Sequence, residues 1–164
     1  MQPIIIIDNF FKDSRSLERF KDITDTYPTE GKWIKSENIS THTNTIFKTV
    51  SDYYSMDNVV GYEAWTHKNT RPSGNLADGY HYDKDEYRYN LNKLLRFPVC
   101  SIVFYIEIKE LIGGRLIIDD IAITPKTDRL IIFGPGQKHY VEKFTGSRYS
   151  ININPWNRIL EEYA

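Results

Sequence analysis

The stretch GYHYDKDE, residues 79–86, carries the side chains in this chain best suited to metal chemistry. Read as a strand, it sets His81 and Asp83 on one face and Tyr82 on the other, because successive strand side chains point to opposite faces. An imidazole beside a carboxylate suits a borderline divalent ion such as iron(II). The pair makes up two-thirds of a 2-His-1-carboxylate facial triad, which leaves positions on the metal open. Alone, a His-x-Asp triplet fits an exposed polar strand end equally well, so a third ligand has to come from a neighbouring strand.

The chain has four histidines. His42 and His67 lie in polar, loop-like sequence and read as surface residues. His139 follows the apolar run RLIIF and a Gly-Pro-Gly turn and opens a further strand, KHYVE, which makes it the expected third ligand. Downstream, RYSININ alternates: Arg148, Ser150, Asn152 and Asn154 share one face, and Tyr149, Ile151 and Ile153 the other. A wet sheet edge has such a pattern. Arg148 with Ser150 one step along also suits a carboxylate, since a guanidinium is a planar fork and the hydroxyl adds a donor.

His81-x-Asp83, 55 intervening residues, His139, then Arg148-x-Ser150 nine residues on, resembles the iron(II)/2-oxoglutarate-dependent dioxygenases, most closely their prolyl-hydroxylase-like branch. HYDKDE, FYIE, GGRLII, PKTDRLIIFGPGQKH and GSRYSIN follow in the family's order, covering about residues 60–154. The resemblance implies that His81, Asp83 and His139 bind iron. It implies that Arg148 grips the distal carboxylate of 2-oxoglutarate with help from Ser150 and Tyr105. It further implies O2 as co-reactant, ascorbate as a supporting reductant, and oxidation of a substrate C–H coupled to decarboxylation of 2-oxoglutarate to succinate. Hydroxylation is the expected outcome. Asn152 and Asn154 are candidates for the substrate mouth. A tyrosine that such proteins often carry before the first ligand would fall near Arg71 and is absent, leaving Glu63 and Trp65 in the preceding strand to shape the pocket.

The elements that must position these residues follow from apolar periodicity. Residues 3–7 read as a short buried strand, 13–27 as a helix capped by Asp13 or Ser14, and 43–55 as an amphipathic helix. Residues 29–42 read as loop with one short strand turn. From there strands are expected at 58–66, 79–83, 99–108, 115–119, 129–133, 138–142 and 148–154, separated by Gly/Pro turns. Segments 67–79 and 85–98 read as loops, the latter a candidate lid carrying Tyr87, Arg88, Tyr89, Lys93 and Arg96. Asp85 and Glu86 read as turn or salt-bridge residues. The expectation is an α+β domain over 1–164: a double-stranded β-helix (jelly roll) at about 58–154, with two N-terminal support helices, within about 1–57, packed on one sheet.

The totals are those of a globular protein, with 40% hydrophobic and 26% charged residues among 164. A net charge of −1 supplies no basic field for nucleic acid. The four consecutive isoleucines near the N-terminus are too few for a membrane span or signal core. Cys100, the single cysteine, reads as a buried apolar residue. A reducing cytoplasmic setting and a small-molecule or peptide substrate follow as expectations. The sequence leaves oligomeric state open. Two other classes share these features: a cupin-like metal enzyme, which has no need of Arg148, and a non-catalytic jelly-roll module, which has no need of three ligands.

Overall fold

The computed structural model describes residues 2–69 and 79–164; Arg71 and most of the expected 67–79 loop lie outside them. It is a mixed, sheet-rich fold consistent with a jelly roll. The large sheet runs β1-β7-β4-β9-β3-β2 and the small one β6-β5-β8, with every pairing antiparallel. In chain order the strands of the large sheet are β1 (Ile5–Ile7), β2 (Lys32–Lys35), β3 (Gly61–Asn69), β4 (Ser101–Gly113), β7 (Arg129–Phe133) and β9 (Phe144–Trp156). Those of the small sheet are β5 (Leu116–Ile118), β6 (Ile121–Ile123) and β8 (His139–Val141).

Alternation along the central strands builds two cores. Ile102, Phe104 and Ile106 of β4, Leu130 and Ile132 of β7, and Tyr149, Ile151 and Ile153 of β9 point to the outer face of the large sheet. There they meet Phe20 of α1 (Ser14–Thr24) and Ile46, Phe47 and Val50 of α2 (Thr41–Val50). The intervening residues Val103, Tyr105, Ile131 and Phe133 face inward and pack with Leu116, Ile118, Ile123 and Val141 of the small sheet. Both faces of β4 and β7 are thus buried, which is why their sequences read as nearly unbroken apolar runs.

Both helices carry side-chain N-caps: Asp13 accepts from Ser16 N at 2.7 Å, and Ser40 from Thr43 N at 3.1 Å. Each ends earlier than periodicity suggests, because Asp25–Tyr27 and Ser51–Tyr54 turn away from the helix axis. β1 is an edge strand with Ile6 45% exposed and Ile5 and Ile7 only half-buried, in place of the buried strand expected.

Four further elements depart from expectation. Residues 79–83 form no strand: His81 makes a single bridge to His139, and Asp83 follows in open chain. The supposed lid loop contains α3 (Glu86–Asn92), capped by Asp85, which accepts from Arg88 N at 2.9 Å. β3 continues through His67 to Asn69, held by pairing with the long β9. β6 follows β5 after a two-residue turn at Asp119-Asp120, both with positive φ. That turn type suits the right-handed twist of a tight hairpin. Gly146, at φ +100, occupies a bend where a Cβ would lie 2.2 Å from the Glu110 carbonyl oxygen, so only glycine fits.

Candidate metal centre and anion cradle

His81 and His139 are direct cross-strand partners. Their backbones exchange two hydrogen bonds, His81 N to His139 O at 3.1 Å and His139 N to His81 O at 2.9 Å. Partners bonded in this way carry their side chains on the same side of the ladder. The ring centroids stand 4.4 Å apart. Asp83, two residues beyond His81, brings Oδ1 to 3.7 Å from His81 Nε2 and 3.4 Å from His139 Nε2. One ligand atom from each of the three lies within 4.8 Å of the others.

Each of these side chains is held from behind. Nδ1 of His139 faces the Gln137 carbonyl at 3.0 Å, and Nδ1 of His81 faces the Gly79 carbonyl. A carbonyl can only accept, so Nδ1 carries a proton in each ring, which leaves Nε2 as the atom that faces Asp83. Gln137 is itself clamped, accepting from Gly134 N at 2.6 Å and donating to Asp119 at 2.9 Å. Asp83 Oδ2 accepts from Ser101 Oγ at 2.6 Å. In the orientation that satisfies its hydrogen bonds, the Asn154 amide donates to Asp83 Oδ2 and the Ile153 carbonyl, both at 3.2 Å. Burial works against the Asp83 charge, but His139, Ser101 and His81 outweigh it and hold the carboxyl below its ordinary range. Two imidazole nitrogens and one carboxylate oxygen form a donor set that fits a borderline divalent ion.

A second constellation lies on the same cavity, whose volume is about 320 Å³. Arg148 is only 3% exposed, yet it pairs with no carboxylate among the described residues. Its guanidinium donates to Ser150 Oγ at 3.1 Å, reaches Tyr105 Oη at 3.5 Å, and leaves Nε without an acceptor. A hydroxyl that accepts from arginine still has its own proton to donate, so Ser150 and Tyr105 add two O–H donors to the N–H groups that Arg148 keeps open. Burial raises the Tyr105 phenol pKa despite Arg148, so the hydroxyl keeps its proton. A buried, unpaired cation ringed by donors has the chemistry to bind an anion, and a carboxylate matches the guanidinium fork.

Strand register ties the two constellations together. On β9, Asn154, Asn152 and Ser150 pair with Glu63, Trp65 and His67 of β3, while Asn152 and Ser150 pair with Val103 and Tyr105 of β4. Of these, Glu63, Trp65, His67, Val103, Asn152 and Asn154 line the cavity. Asn154, 3% exposed, is turned to Asp83. His67 belongs to the cavity wall rather than to a surface loop, and its Nε2 accepts from Trp65 Nε1 at 3.2 Å. The period-two run Glu63, Trp65, His67 carried this signal, but the polar residues after Thr66 mask it. His42 packs between Phe11 and Phe20 at the helices, away from the site. Glu86 pairs with Lys84 at 2.8 Å, and Arg88 pairs with Glu161 near the C-terminus.

No family model and no curated protein matches the chain. Solved structures do, and they define the fold as that of the 2-oxoglutarate/iron(II) oxygenases. A 2OG-Fe(II) oxygenase-family oxidoreductase from Burkholderia pseudomallei aligns with a TM-score of 0.63 at 13% identity, covering 94% of this chain and 84% of that one. The viral collagen prolyl hydroxylase of Paramecium bursaria Chlorella virus-1, in its 2OG complex, aligns at 0.59 and 13% identity, covering 93% and 95%. A Pseudomonas putida prolyl-4-hydroxylase aligns at 0.57 and 12%, covering 97% and 90%.

Proposed function

We propose that this chain is an iron(II)- and 2-oxoglutarate-dependent dioxygenase, a hydroxylase of a small metabolite or peptide side chain. The observation that carries the proposal is the unpaired, buried Arg148 on the same cavity as His81, Asp83 and His139. A metal centre alone needs no guanidinium, and a cupin-like enzyme gives it no role. Similarity of fold to the 2OG oxygenases supports the same conclusion.

In this reading His81, Asp83 and His139 would hold iron(II), and Arg148, Ser150 and Tyr105 would hold the distal carboxylate of 2-oxoglutarate. The bound pair, with O2, supplies oxidative decarboxylation of 2-oxoglutarate to succinate coupled to oxidation of a C–H bond, and ascorbate keeps the metal ferrous. The chain's own work is positional. Gln137 and Gly79 fix the imidazoles through their Nδ1 protons, and Ser101 and Asn154 fix Asp83. Val103, Leu116 and Val141 line the cavity with apolar surface that limits water. The 164 residues act as one domain in a reducing, cytoplasmic setting. α1 and α2 serve as supports, their apolar faces closing the outer core behind the large sheet.

The test is succinate formation from 2-oxoglutarate by anaerobically iron-loaded protein given O2 and ascorbate, with His139→Ala and Arg148→Ala alongside. Turnover abolished in both variants is the expected result. Turnover that survives Arg148→Ala but not His139→Ala removes the cosubstrate assignment. Absence of both turnover and iron-dependent 2-oxoglutarate binding in the parent chain sinks the oxygenase proposal.

A further inference from the structure

The cavity also carries a half-buried acidic group that has no cationic partner among the described residues. Glu63, on β3, sits on the wall opposite the Arg148 end. Its Oε1 accepts from Trp156 Nε1 at 3.0 Å and its Oε2 from Tyr163 Oη at 3.1 Å. Both partners are neutral, and no ion pair joins Glu63 to a cation among the described residues. A carboxylate has about four acceptor sites, so two remain open after these bonds. Two neutral donors stabilise a buried carboxylate less than a cation does.

The surroundings sharpen the sign. Beyond Asp83, the described carboxylates on the cavity wall are Glu30, Glu63 and Glu86. Lys84, the wall's one described lysine, is engaged by Glu86. Glu162 and Asp83 add negative field at Glu63, and burial, the largest effect, pushes its carboxyl up to about 7. Trp65, two residues along the same strand face, lines the cavity too, and an indole face attracts ammonium groups. Glu63 pairs in register with Asn154, the residue whose amide supports Asp83. Arg148 lies six residues along β9 from Asn154, roughly 20 Å of strand. A cation held at Glu63 therefore lies beside the His81–Asp83–His139 cluster, at the end that the anion cradle leaves open.

We propose that Glu63, backed by Trp65, is the recognition point for the ammonium group of the primary substrate, so that this site acts on amines. The inference rests on the oxygenase reading for its catalytic consequence, but not for the binding itself. An α-ammonium of a free amino acid derivative and the side-chain ammonium of a lysyl residue share this chemistry.

The experiment compares binding of n-butylammonium, n-butanol and butyrate to the metal-free full chain by ligand-observed NMR, then succinate formation in the iron-loaded protein. Butylammonium is expected to bind about tenfold tighter than butanol at about pH 8, with the preference shrinking as pH falls through about 7 and Glu63 protonates. Glu63→Gln should erase the preference in protein that still unfolds cooperatively. Tyr163→Phe keeps the carboxylate but removes a donor to it. It should move the pH midpoint upward and preserve the preference above it, which a merely structural Glu63 would not do. Norleucinamide and N-acetyl-lysine methylamide, each with one ammonium, then separate the two sources by which raises succinate formation. Equal binding of butylammonium and butanol in the parent chain, with 2-oxoglutarate turnover present, overturns the ammonium site and spares the oxygenase. A cation preference without turnover does the reverse. A preference that survives Glu63→Gln in folded protein also overturns the assignment.

Discussion

Ser101 donates to Asp83 Oδ2 at 2.6 Å, which leaves Oδ1 facing the two imidazoles at 3.4 and 3.7 Å. The carboxylate is thereby divided: one oxygen is bound to the β4 framework, the other is turned to His81 and His139. Ser101→Ala should release that division. Iron(II) affinity is expected to fall about 10–100-fold, the usual cost of removing a group that orients a ligand. Titration with iron(II) under anaerobic conditions measures this, and an unchanged affinity would mean that Asn154 alone suffices.

Arg148 predicts opposite effects on binding and on stability. Arg148→Met should weaken 2-oxoglutarate binding by at least about 2 kcal/mol, as for truncation of a buried charge pair. In the absence of ligand the same variant should be more stable than the parent, by about 1–4 kcal/mol, because an apolar side chain replaces a buried unpaired cation. Denaturant melts with and without 2-oxoglutarate check both. A ligand-free variant less stable than the parent contradicts the unpaired state of Arg148.

Glu63 makes stability depend on pH in a set direction. Its folded pKa is raised to about 7, above an unfolded value near ~4.5, so the folded state binds more protons between the two. Stability from this group is therefore full below the unfolded value and declines as pH rises toward about 7. Relative to Glu63→Gln, the parent chain should lose melting temperature from about pH 5 to about pH 8. A constant difference across that range would remove the raised pKa.

Phe104 is fully buried and meets the rings of Phe10, Phe11 and Phe20 edge-on. Phe104→Ala opens a cavity between the large sheet and α1, and should cost about 3–5 kcal/mol in urea unfolding. A loss under about 1 kcal/mol would show that the helical layer contributes little to the core.

Cys100 is fully buried, and desolvation pushes its thiol up to about 12. It should resist iodoacetamide in the native protein and react on denaturation. Rapid native labelling would place it on the surface.

The clustering of His81, Asp83 and His139, and of Arg148 with Ser150, was legible because these residues sit in short motifs whose alternation assigns a face. The strands β4, β7 and β9 were legible for the same reason. What was missed depended on partners distant in sequence. β3 outran its apolar stretch because β9 offers backbone groups as far as Arg148, and pairing carried His67 onto the wall. β6 was hidden because Asp119-Asp120 lacks the glycine that usually marks a tight hairpin. His81 and Asp83 needed no full strand, since one bridge to His139 aligns them. Ser101 and Glu63 took their roles from Asp83, Trp156 and Tyr163, contacts that no local pattern encodes.

Strand β9 carries both Asn154, which braces the metal-side carboxylate, and Arg148 with Ser150, which form the cradle. Its length between those points works as a caliper. One residue inserted or deleted there would turn the cradle toward the outer core and bring Ile153 or Tyr149 into the cavity, since a single step reverses every face. Variation in relatives that retain the chemistry is therefore expected in the connections and at the strand's two ends, with the six-residue interval from 148 to 154 held constant.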